Sequence, residues 1–208
     1  MNGIVLRTRG GVYDVETTDG VYEAVLRGRV KRQERVGDRV VVGDRVTLAL
    51  DAAEGEAWTI EDVEERTSAL VRRAPGKAPR AKVIVANVDR IIIVFAAAKP
   101  YPHLRMLDRF LVLCESTGLD ALIVVNKVDL VGRPAEGVAQ LRETLCNGIS
   151  ALTGPSGVGK SSLLNQVQPG LALRVGSISE VLNKGKHTTV TAELLHLECG
   201  GYVADTPG

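Results

Sequence analysis

A glycine-rich stretch that ends in a lysine and a hydroxyl residue is the first pattern here that could do chemistry. Gly154 to Ser161 read G-P-S-G-V-G-K-S, which satisfies the spacing G-x-x-x-x-G-K-[ST], and the apolar residues before them favour a strand that leads into the loop. Glycines let successive N–H groups converge on phosphate oxygens at a helix N-terminus, and the lysine adds charge for the terminal phosphates. The sequence therefore predicts a nucleoside triphosphate site with Ser161 as a Mg²⁺ ligand. The predicted residues of this loop are Gly154, Pro155, Ser156, Gly157, Val158, Gly159, Lys160, Ser161 and Ser162.

A second polar motif, N-K-V-D, predicts which base is bound. Asn126, Lys127, Val128 and Asp129 directly follow the apolar run of residues 121–125. An aspartate can accept two hydrogen bonds from the N1–H and the amino group of guanine. Adenine offers neither donor there, so the carboxylate would be left unpaired at a cost on the order of several kcal/mol. The motif thus favours GTP and disfavours an ATP-dependent enzyme.

Two further segments resemble nucleotide-sensing switches. Residues 176–191 are polar and contain glycine, and Thr188 or Thr189 is placed to reach Mg²⁺ and the γ-phosphate. Residues 205–208 read D-T-P-G, in which Asp205 would hold Mg²⁺ through water and the Gly208 amide would contact the γ-phosphate. We assign no role to the neighbouring His187.

The order of these motifs is informative. In an ordinary GTPase the phosphate loop comes first and N-K-x-D comes late, whereas here Asn126 precedes Gly154 and D-T-P-G comes last. The nucleotide domain is therefore predicted to be circularly permuted. Such an order connects the second switch directly to whatever follows it.

Alternating strand and helix patterns surround the motifs. Residues 83–87 and 90–98 are apolar runs that favour strands, the latter buried on both faces of a parallel sheet. Residues 102–118 repeat apolar side chains at helical spacing between a proline and Gly118, and residues 121–125 read as the next buried strand. This alternation predicts an α/β P-loop domain over residues 83–208.

The first 65 residues favour a small all-β barrel. Short strands with polar turns between them suit a barrel of the oligonucleotide/oligosaccharide-binding (OB) type, although an SH3-like barrel would give a similar pattern. Arg29, Lys31 and Arg32 belong to a basic loop that could grip an RNA backbone or could simply be solvated. Residues 66–82 are basic and contain two prolines, so they are expected to form a weakly structured linker and the domain boundary.

Composition excludes several classes of protein. The chain has 208 residues and a formal net charge of +1, so no global charge argues for nucleic acid or a membrane surface. No apolar run reaches the roughly 18 residues of a spanning helix, and no signal peptide is recognisable, so a cytoplasmic location is expected. Cys114, Cys146 and Cys199 are far apart in sequence, and we expect separate thiols rather than a disulfide or a metal site.

Taken together, the motifs resemble the ribosome small-subunit-dependent GTPase A family. The similar features are the small barrel, R-M-L-D-R-F-L-V-L from Arg105, N-K-V-D-L, the phosphate loop, G-K-H-T-T and D-T-P-G. The resemblance implies a bacterial, circularly permuted, Mg²⁺-dependent GTPase with an N-terminal OB domain. It also implies action in late maturation of the 30S subunit and stimulation of hydrolysis by that subunit. An alternative is a nucleotide-sensing RNA-binding module with negligible hydrolysis.

The resemblance also suggests partners and roles. It implies contact with the 30S subunit, 16S rRNA and other assembly factors, no membrane contact, and a monomer. Asn126, Lys127 and Asp129 would read guanine, Thr188 and Thr189 would belong to the first switch, and residues 205–208 to the second. The family's catalytic histidine and its zinc-binding domain would lie beyond Gly208, so the catalytic residue stays unassigned.

One spacing departs from the family pattern. Only 24 residues separate Asp129 from Gly154, and no separate segment for contact with the guanine base is recognisable among them. Ser150 to Gly154 have similar letters but belong to the strand that enters the phosphate loop. We therefore expect that a piece of the family's sequence is missing between these two motifs.

Overall fold

The computed structural model describes residues 1–28, 30, 39–51, 57–73, 81–171 and 192–205. The chain forms two compact units. The first contains Met1–Val88 with Thr191–Leu194, and the second contains Asp89–Val190 with Leu195–Gly208. None of the described helices is long and apolar enough to cross a membrane.

The first unit contains a closed five-stranded barrel. Its strands are β1 (Asn2–Arg9), β2 (Val12–Thr17), β3 (Gly20–Leu26), β4 (Arg45–Asp51) and β5 (Ala57–Val63), in the order β1-β2-β3-β5-β4. The strand β1 also pairs with β4, and β3 pairs with β5 in parallel. This arrangement confirms the predicted OB-type barrel over the SH3-like alternative.

Period-two alternation builds the core of this barrel. One side chain of each successive pair along a strand points inward. The buried cluster contains Val5, Tyr13, Val15, Ala24, Val40, Val46, Leu48 and Ile60. Polar side chains remain on the outside of the barrel, among them the exposed ion pair between Arg9 and Glu23.

A buried ion pair lies at the turn before β4. The Asp44 carboxylate is fully buried and accepts hydrogen bonds from Arg66 Nε at 2.7 Å and from the Val41 backbone N–H at 2.8 Å. Gly43 has φ +85°, and a Cβ there would lie 2.2 Å from the Ala86 carbonyl oxygen. The turn and the segment containing Ala86 are therefore packed backbone against backbone, where only glycine fits.

The stretch that was expected to be a linker is partly strand. β6 (Ala69–Arg73) pairs antiparallel with β7 (Ala81–Ala86), and both belong to the first unit. The Asn87 side chain, directly after β7, connects two neighbouring segments. Its Nδ2 donates to the Gly43 carbonyl, and its Oδ1 accepts from the Thr67 N–H. The first unit thus extends to Val88, past the predicted start of the second domain at residue 83. Because this stretch is basic and contains prolines, its short apolar strand pattern was not recognised in the sequence.

The second unit is organised on a five-stranded sheet. Its strands are β8 (Arg90–Ala96), β9 (Asp120–Asn126), β10 (Ile149–Thr153), β11 (Glu193–His196) and β12 (Tyr202–Asp205), in the order β11-β12-β10-β8-β9. The pairs β8–β9, β8–β10 and β10–β12 are parallel. Ile91 to Ala96 are all buried, as an uninterrupted apolar strand in a covered parallel sheet should be.

Three helices of the described part of the chain pack on this sheet. They are α1 (Leu104–Thr117), α2 (Val138–Leu145) and α3 (Lys160–Val167). The helix α1 ends at Gly118, whose left-handed φ of +67° lets its N–H reach the last carbonyls of the helix. Apolar residues of α2 and α3 bury the other side of the central strands, among them Leu141, Leu145, Leu163 and Leu164.

The cysteine prediction is wrong for two of the three residues. Cys146 and Cys199 form a disulfide with a Cα–Cα distance of 5.3 Å, although 53 positions separate them. Cys114 is a free, buried thiol, as expected. Sequence spacing could not reveal the bridge, because it depends on the turn between β11 and β12 reaching the end of α2.

Candidate nucleotide-binding site

The carboxyl ends of the parallel strands bring the predicted motifs to one edge of the sheet. Ala96 on β8 lies beside Asn126 on β9, and Leu152 on β10 lies beside Asp205 on β12. The carboxyl ends of β9, β10 and β12 therefore each lead into a motif predicted from the sequence, whereas the carboxyl end of β8 does not. Ligands of open parallel sheets bind at this edge, where neighbouring loops diverge.

The phosphate loop has the backbone that its glycines allow. Gly154 has φ +144°, and a Cβ there would lie 2.2 Å from the Val94 carbonyl oxygen. Gly159 has φ +90° and is the N-cap of α3, and its carbonyl accepts the N–H of Leu163 at 2.9 Å. The loop passes from the end of β10 to the start of a helix, where the free N–H groups favour an anion.

Lys160 folds back over its own loop. Its ammonium donates hydrogen bonds to the carbonyl oxygens of Gly154 at 2.8 Å and Pro155 at 3.2 Å. A lysine held by two neutral carbonyls can exchange them for phosphate oxygens, which form stronger, charge-assisted bonds. Its position therefore suits the terminal phosphates of a nucleotide.

Asn126 and Lys127 attach the second motif to the phosphate loop. Asn126 Nδ2 donates to the carbonyl oxygens of Val158 at 3.0 Å and Gly159 at 3.3 Å. Lys127 has a left-handed backbone with φ +57°, and its ammonium donates to the Gly157 carbonyl. A Cβ at Gly159 would lie 2.6 Å from Asn126 Nδ2, so the contact requires glycine. The two predicted motifs are therefore directly connected.

Asp129 is presented by a short 3₁₀ helix over Val128–Val131, which ends at Gly132. Its carboxylate is exposed, whereas Val128 is half-buried and anchors the turn. An exposed carboxylate next to the attached Asn126 and Lys127 is free to accept hydrogen bonds from an incoming base.

The oxygen donors that a magnesium ion would need are compatible with this edge. Ser161 is exposed in the first turn of α3, and the backbone register places Asp205 beside the strand that enters the phosphate loop. Hydroxyl and carboxylate oxygens are the ligands Mg²⁺ prefers, and such sites add phosphate oxygens and water to one or two protein ligands. No cluster of three or more His, Cys, Asp or Glu side chains that could hold a metal ion occurs among the described residues.

Several predicted residues lie outside the residues that the structure describes. They are the switch residues Thr188, Thr189 and Gly208, and the RNA-contact candidates Arg29, Lys31 and Arg32. For Asp205 only the backbone is described. These assignments stay predictions.

The loop after β8 is a part of the site that the sequence did not suggest. The Lys99 carbonyl accepts a hydrogen bond from the Lys127 ammonium, and Pro100 Cδ lies 4.0 Å from the position of a Cβ on Gly157. The Ala97 N–H donates to the Asn126 carbonyl at 2.8 Å. Its place after a buried central strand was the one available signal, since loops at that position carry function in parallel sheets.

Comparison with known families gives matches over both parts of the chain. The sequence profile of the RsgA GTPase family matches residues 63–136 and 132–208, and that of the RsgA N-terminal domain matches residues 2–58. A protein of Gemmatimonas aurantiaca named small ribosomal subunit biogenesis GTPase RsgA is 47% identical over 99% of this chain and 75% of its own length. The protein of the same name from Moorella thermoacetica is 41% identical over 100% of this chain and 74% of its length.

Solved structures give the same result for the fold. The crystal structure of YjeQ from Thermotoga maritima superimposes with a TM-score of 0.75 at 33% identity, over 100% of this chain and 74% of that one. YloQ, described as a circularly permuted GTPase, has a TM-score of 0.66 at 24% identity, over 100% and 71%. The circular permutation predicted from motif order is confirmed.

The relatives contain residues that this chain lacks. The alignment with the Gemmatimonas protein runs over 230 positions, 22 more than the 208 residues of the chain. The RsgA GTPase profile matches in two segments that meet at residues 132–136, between Asp129 and Gly154. Both findings agree with the piece expected to be missing between the two motifs.

Proposed function

Since this chain belongs to the RsgA GTPase family and is therefore a GTPase, we propose that it assists maturation of the small ribosomal subunit. The names of its relatives, small ribosomal subunit biogenesis GTPase, support this role. The observation that carries the proposal is the attachment of Asn126 and Lys127 to the phosphate loop. A guanine-reading motif and a triphosphate-binding loop are useful together only when one nucleotide spans both.

Guanine selection rests on the exposed carboxylate of Asp129. Asn126 holds the loop in place through the Val158 and Gly159 carbonyls, so the aspartate does not have to be ordered when the nucleotide binds. Lys127 lies against the phosphate loop with its stem available to pack across the base. The pair Asn126 and Lys127 thus positions Asp129 for GTP or GDP.

Phosphate binding rests on Lys160 and the N–H groups of the loop. Lys160 would exchange the carbonyls of Gly154 and Pro155 for phosphate oxygens. Ser161 and Asp205 would hold Mg²⁺, which neutralises charge on the β- and γ-phosphates when it is bound. Thr188, Thr189 and Gly208 would complete the site as switch residues.

The barrel is the part we assign to RNA and ribosome binding. Closed OB-type barrels bind oligonucleotides on one face, and Arg29, Lys31 and Arg32 are the proposed contacts. We propose that the protein contacts 16S rRNA of the 30S subunit and meets other assembly factors there. It would act as a cytoplasmic monomer.

The first test is GTP turnover with and without isolated 30S subunits at fixed Mg²⁺ and salt. We expect slow intrinsic turnover and a large stimulation, because the ribosome would position the switch residues for hydrolysis. Fast turnover that the subunits leave unchanged would contradict the proposal. Tight GTP binding without turnover, even on the subunit, would instead establish a nucleotide-sensing RNA-binding module.

The base specificity has its own test. Asp129→Asn should weaken GTP affinity on the order of 100-fold or more and favour xanthosine triphosphate, because the amide offers a donor where guanine also has one. Competition binding with GTP, xanthosine triphosphate and ATP measures this directly. Asp120→Asn, at the opposite end of β9, is the matched control and should leave all three affinities unchanged.

A further inference from the structure

Two distant cysteines meet on the sheet that carries the nucleotide site. Cys146 is the C-cap of α2, and Cys199 lies in the turn between β11 and β12. Their Cα atoms are 5.3 Å apart, inside the window of roughly 4.4–6.8 Å that a disulfide requires. The backbone thus brings the two sulfur atoms within bonding range.

Backbone packing holds this contact together in addition to the sulfur bond. A Cβ at Gly201 would lie 2.3 Å from the Leu145 carbonyl oxygen, so this turn sits directly on the end of α2. The Tyr202 N–H donates to the Gly148 carbonyl at 2.8 Å, and the Leu197 N–H donates to the Gly201 carbonyl at 3.1 Å. The two side chains therefore stay adjacent when the bond is open, and it can close again.

Exposure separates this pair from the third cysteine. Cys199 is exposed and Cys146 is half-buried, so a dissolved reagent can reach the pair. Cys114 is only 3% exposed, and burial raises the pKa of its thiol, which disfavours the reactive thiolate. The chain thus contains one accessible cysteine pair and one inert internal reference.

The bridge lies between the two strands that carry nucleotide-binding segments. β10 leads into the phosphate loop, and β12 ends at Asp205. The two strands pair from Ile149 and Tyr202 to Leu152 and Asp205, and the cysteines lie just before this ladder on both sides. A covalent bond there fixes the start of a ladder whose other end is the nucleotide site.

We propose that Cys146 and Cys199 form a reversible dithiol–disulfide couple that controls how firmly β12 is held on β10. Disulfides in cytosolic proteins are usually transient and redox-sensing, which favours a switch over a permanent bridge. In this proposal the oxidant is a small disulfide such as glutathione disulfide. Its effect on GTP binding rests on the proposed function, whereas the couple itself does not.

The exchange is balanced in two steps. The exposed Cys199 thiolate attacks one sulfur of glutathione disulfide, which forms a mixed disulfide and releases one glutathione thiolate. The Cys146 thiolate then attacks the Cys199 sulfur and releases the second. Two protein thiols are oxidised, one glutathione disulfide is reduced to two glutathione molecules, and the thiol protons pass to the released thiolates.

The direct test is differential alkylation of the native protein in glutathione buffers of stepped redox poise, followed by peptide mass spectrometry. Cys146 and Cys199 should change from alkylated to protected together at one poise, and Cys114 should not change. If both remain alkylated as thiols at the most oxidising poise, or if they change at separate poises, the couple is wrong. This readout needs no substitution and no nucleotide.

Stability and affinity give the second readout. Reduction should lower the Tm of the wild-type protein by about 5–15 °C, because the bridge closes a long loop. Cys199→Ser should abolish this redox dependence, and Cys114→Ala, the matched control, should keep it. An unchanged Tm in the wild type would overturn the claim that the bridge holds β12.

Nucleotide binding distinguishes failure of this inference from failure of the proposed function. GTP affinity should be several-fold higher in the oxidised wild type than in the reduced form, and redox-independent in Cys199→Ser. Equal affinity in both forms, with the couple cycling, would overturn the link to the nucleotide site. Absence of GTP binding in both forms would instead contradict the proposed function and leave the alkylation result standing.

Discussion

The barrel is closed and has no edge strand, whereas the sheet of the second unit is open and has end strands. In the barrel each strand has two neighbours, because β1 pairs with both β2 and β4. In the sheet, β9 is an end strand that pairs only with β8 among the described residues. Ile123 and Val125 on β9 remain 43% and 54% exposed. The prediction of a buried strand over residues 121–125 is therefore wrong, because β9 lies at the end of the sheet.

The open edge adjoins the site of the missing residues. The register places Ile123 beside Ile93 and Val125 beside Phe95, whose ring contacts Phe110 on α1. The helix thus covers β8 but only part of β9. The chain continues from β9 to residues 132–136, where the match to the family profile divides. The difference in chain length therefore falls in a connecting segment after the edge strand, and such segments tolerate insertions and deletions.

The largest effect should come from the buried ion pair of the first unit. Asp44→Ala removes the acceptor for Arg66 and for the Val41 N–H, which leaves a cation with poor solvation. Breaking such a pair costs about 3–5 kcal/mol. Denaturant unfolding measures the loss. Glu23→Ala removes one of the two carboxylates that pair with the exposed Arg9 and should change stability little, since surface pairs contribute little. Equal losses would contradict the contrast.

The next largest effect is expected on GTP binding, at the nucleotide site proposed for the edge of the open sheet. Lys160→Ala should lower GTP affinity or turnover about 100- to 1000-fold, as loss of one positioned donor does at a charged site. The circular dichroism spectrum should not change, because the lysine hydrogen-bonds to carbonyls of the loop and belongs to no barrel strand. Lys82→Ala in the first unit is an exposed control, and an equal loss there would mean that the effect on the nucleotide is nonspecific.

A matched pair of substitutions tests whether a barrel strand is more deeply buried than the end strand of the sheet. Ile60 is fully buried in the barrel and Ile123 is exposed on the open edge. Ile60→Val should cost about 0.5–1.5 kcal/mol, because one buried methyl group is lost. Ile123→Val should be close to neutral in the same unfolding assay. A cost at Ile123 equal to that at Ile60 would show that the edge is covered in solution.

Periodicity and motif chemistry were enough to predict most of this molecule. Alternation gave the barrel strands, and the uninterrupted apolar run gave β8, because burial imposes those patterns locally. The phosphate loop and N-K-V-D could be predicted because each motif consists of a few consecutive residues, and the roles of these residues in GTP binding stay predictions. The order of the two motifs then identified the permutation without any structure.

Features that depend on distant segments could not be found in this way. The hairpin of β6 and β7 was mistaken for a linker, since its charges and prolines outweigh a short apolar pattern. The bridge from Cys146 to Cys199 depends on a turn that packs on the end of α2. The role of Lys99 depends on a hydrogen bond from Lys127 to its carbonyl, which any residue type could accept. Tertiary contacts, and not local propensity, decide all three.

The smallest expected effect is a pH dependence at the helix that partly covers the open edge. Cys114 on α1 is buried, and desolvation raises the pKa of its thiol above the ordinary value. The folded protein therefore keeps the proton at pH values where the unfolded chain, with a thiol pKa of about 8.5, releases it. Stability from this group is present below that pH and falls as pH rises above it.

This fall should be below about 1 kcal/mol at pH 9, and it should vanish in Cys114→Ala. The measurement is the difference in unfolding free energy between wild type and variant at pH 7.5 and pH 9, because other titrating groups cancel in that difference. A constant difference would mean that the thiol is equally solvated in both states, and hence that α1 is loosely packed on the sheet. The difference between the two units would then be larger. The barrel would be closed throughout, whereas the sheet would be exposed both at β9 and beneath the loosely packed helix α1.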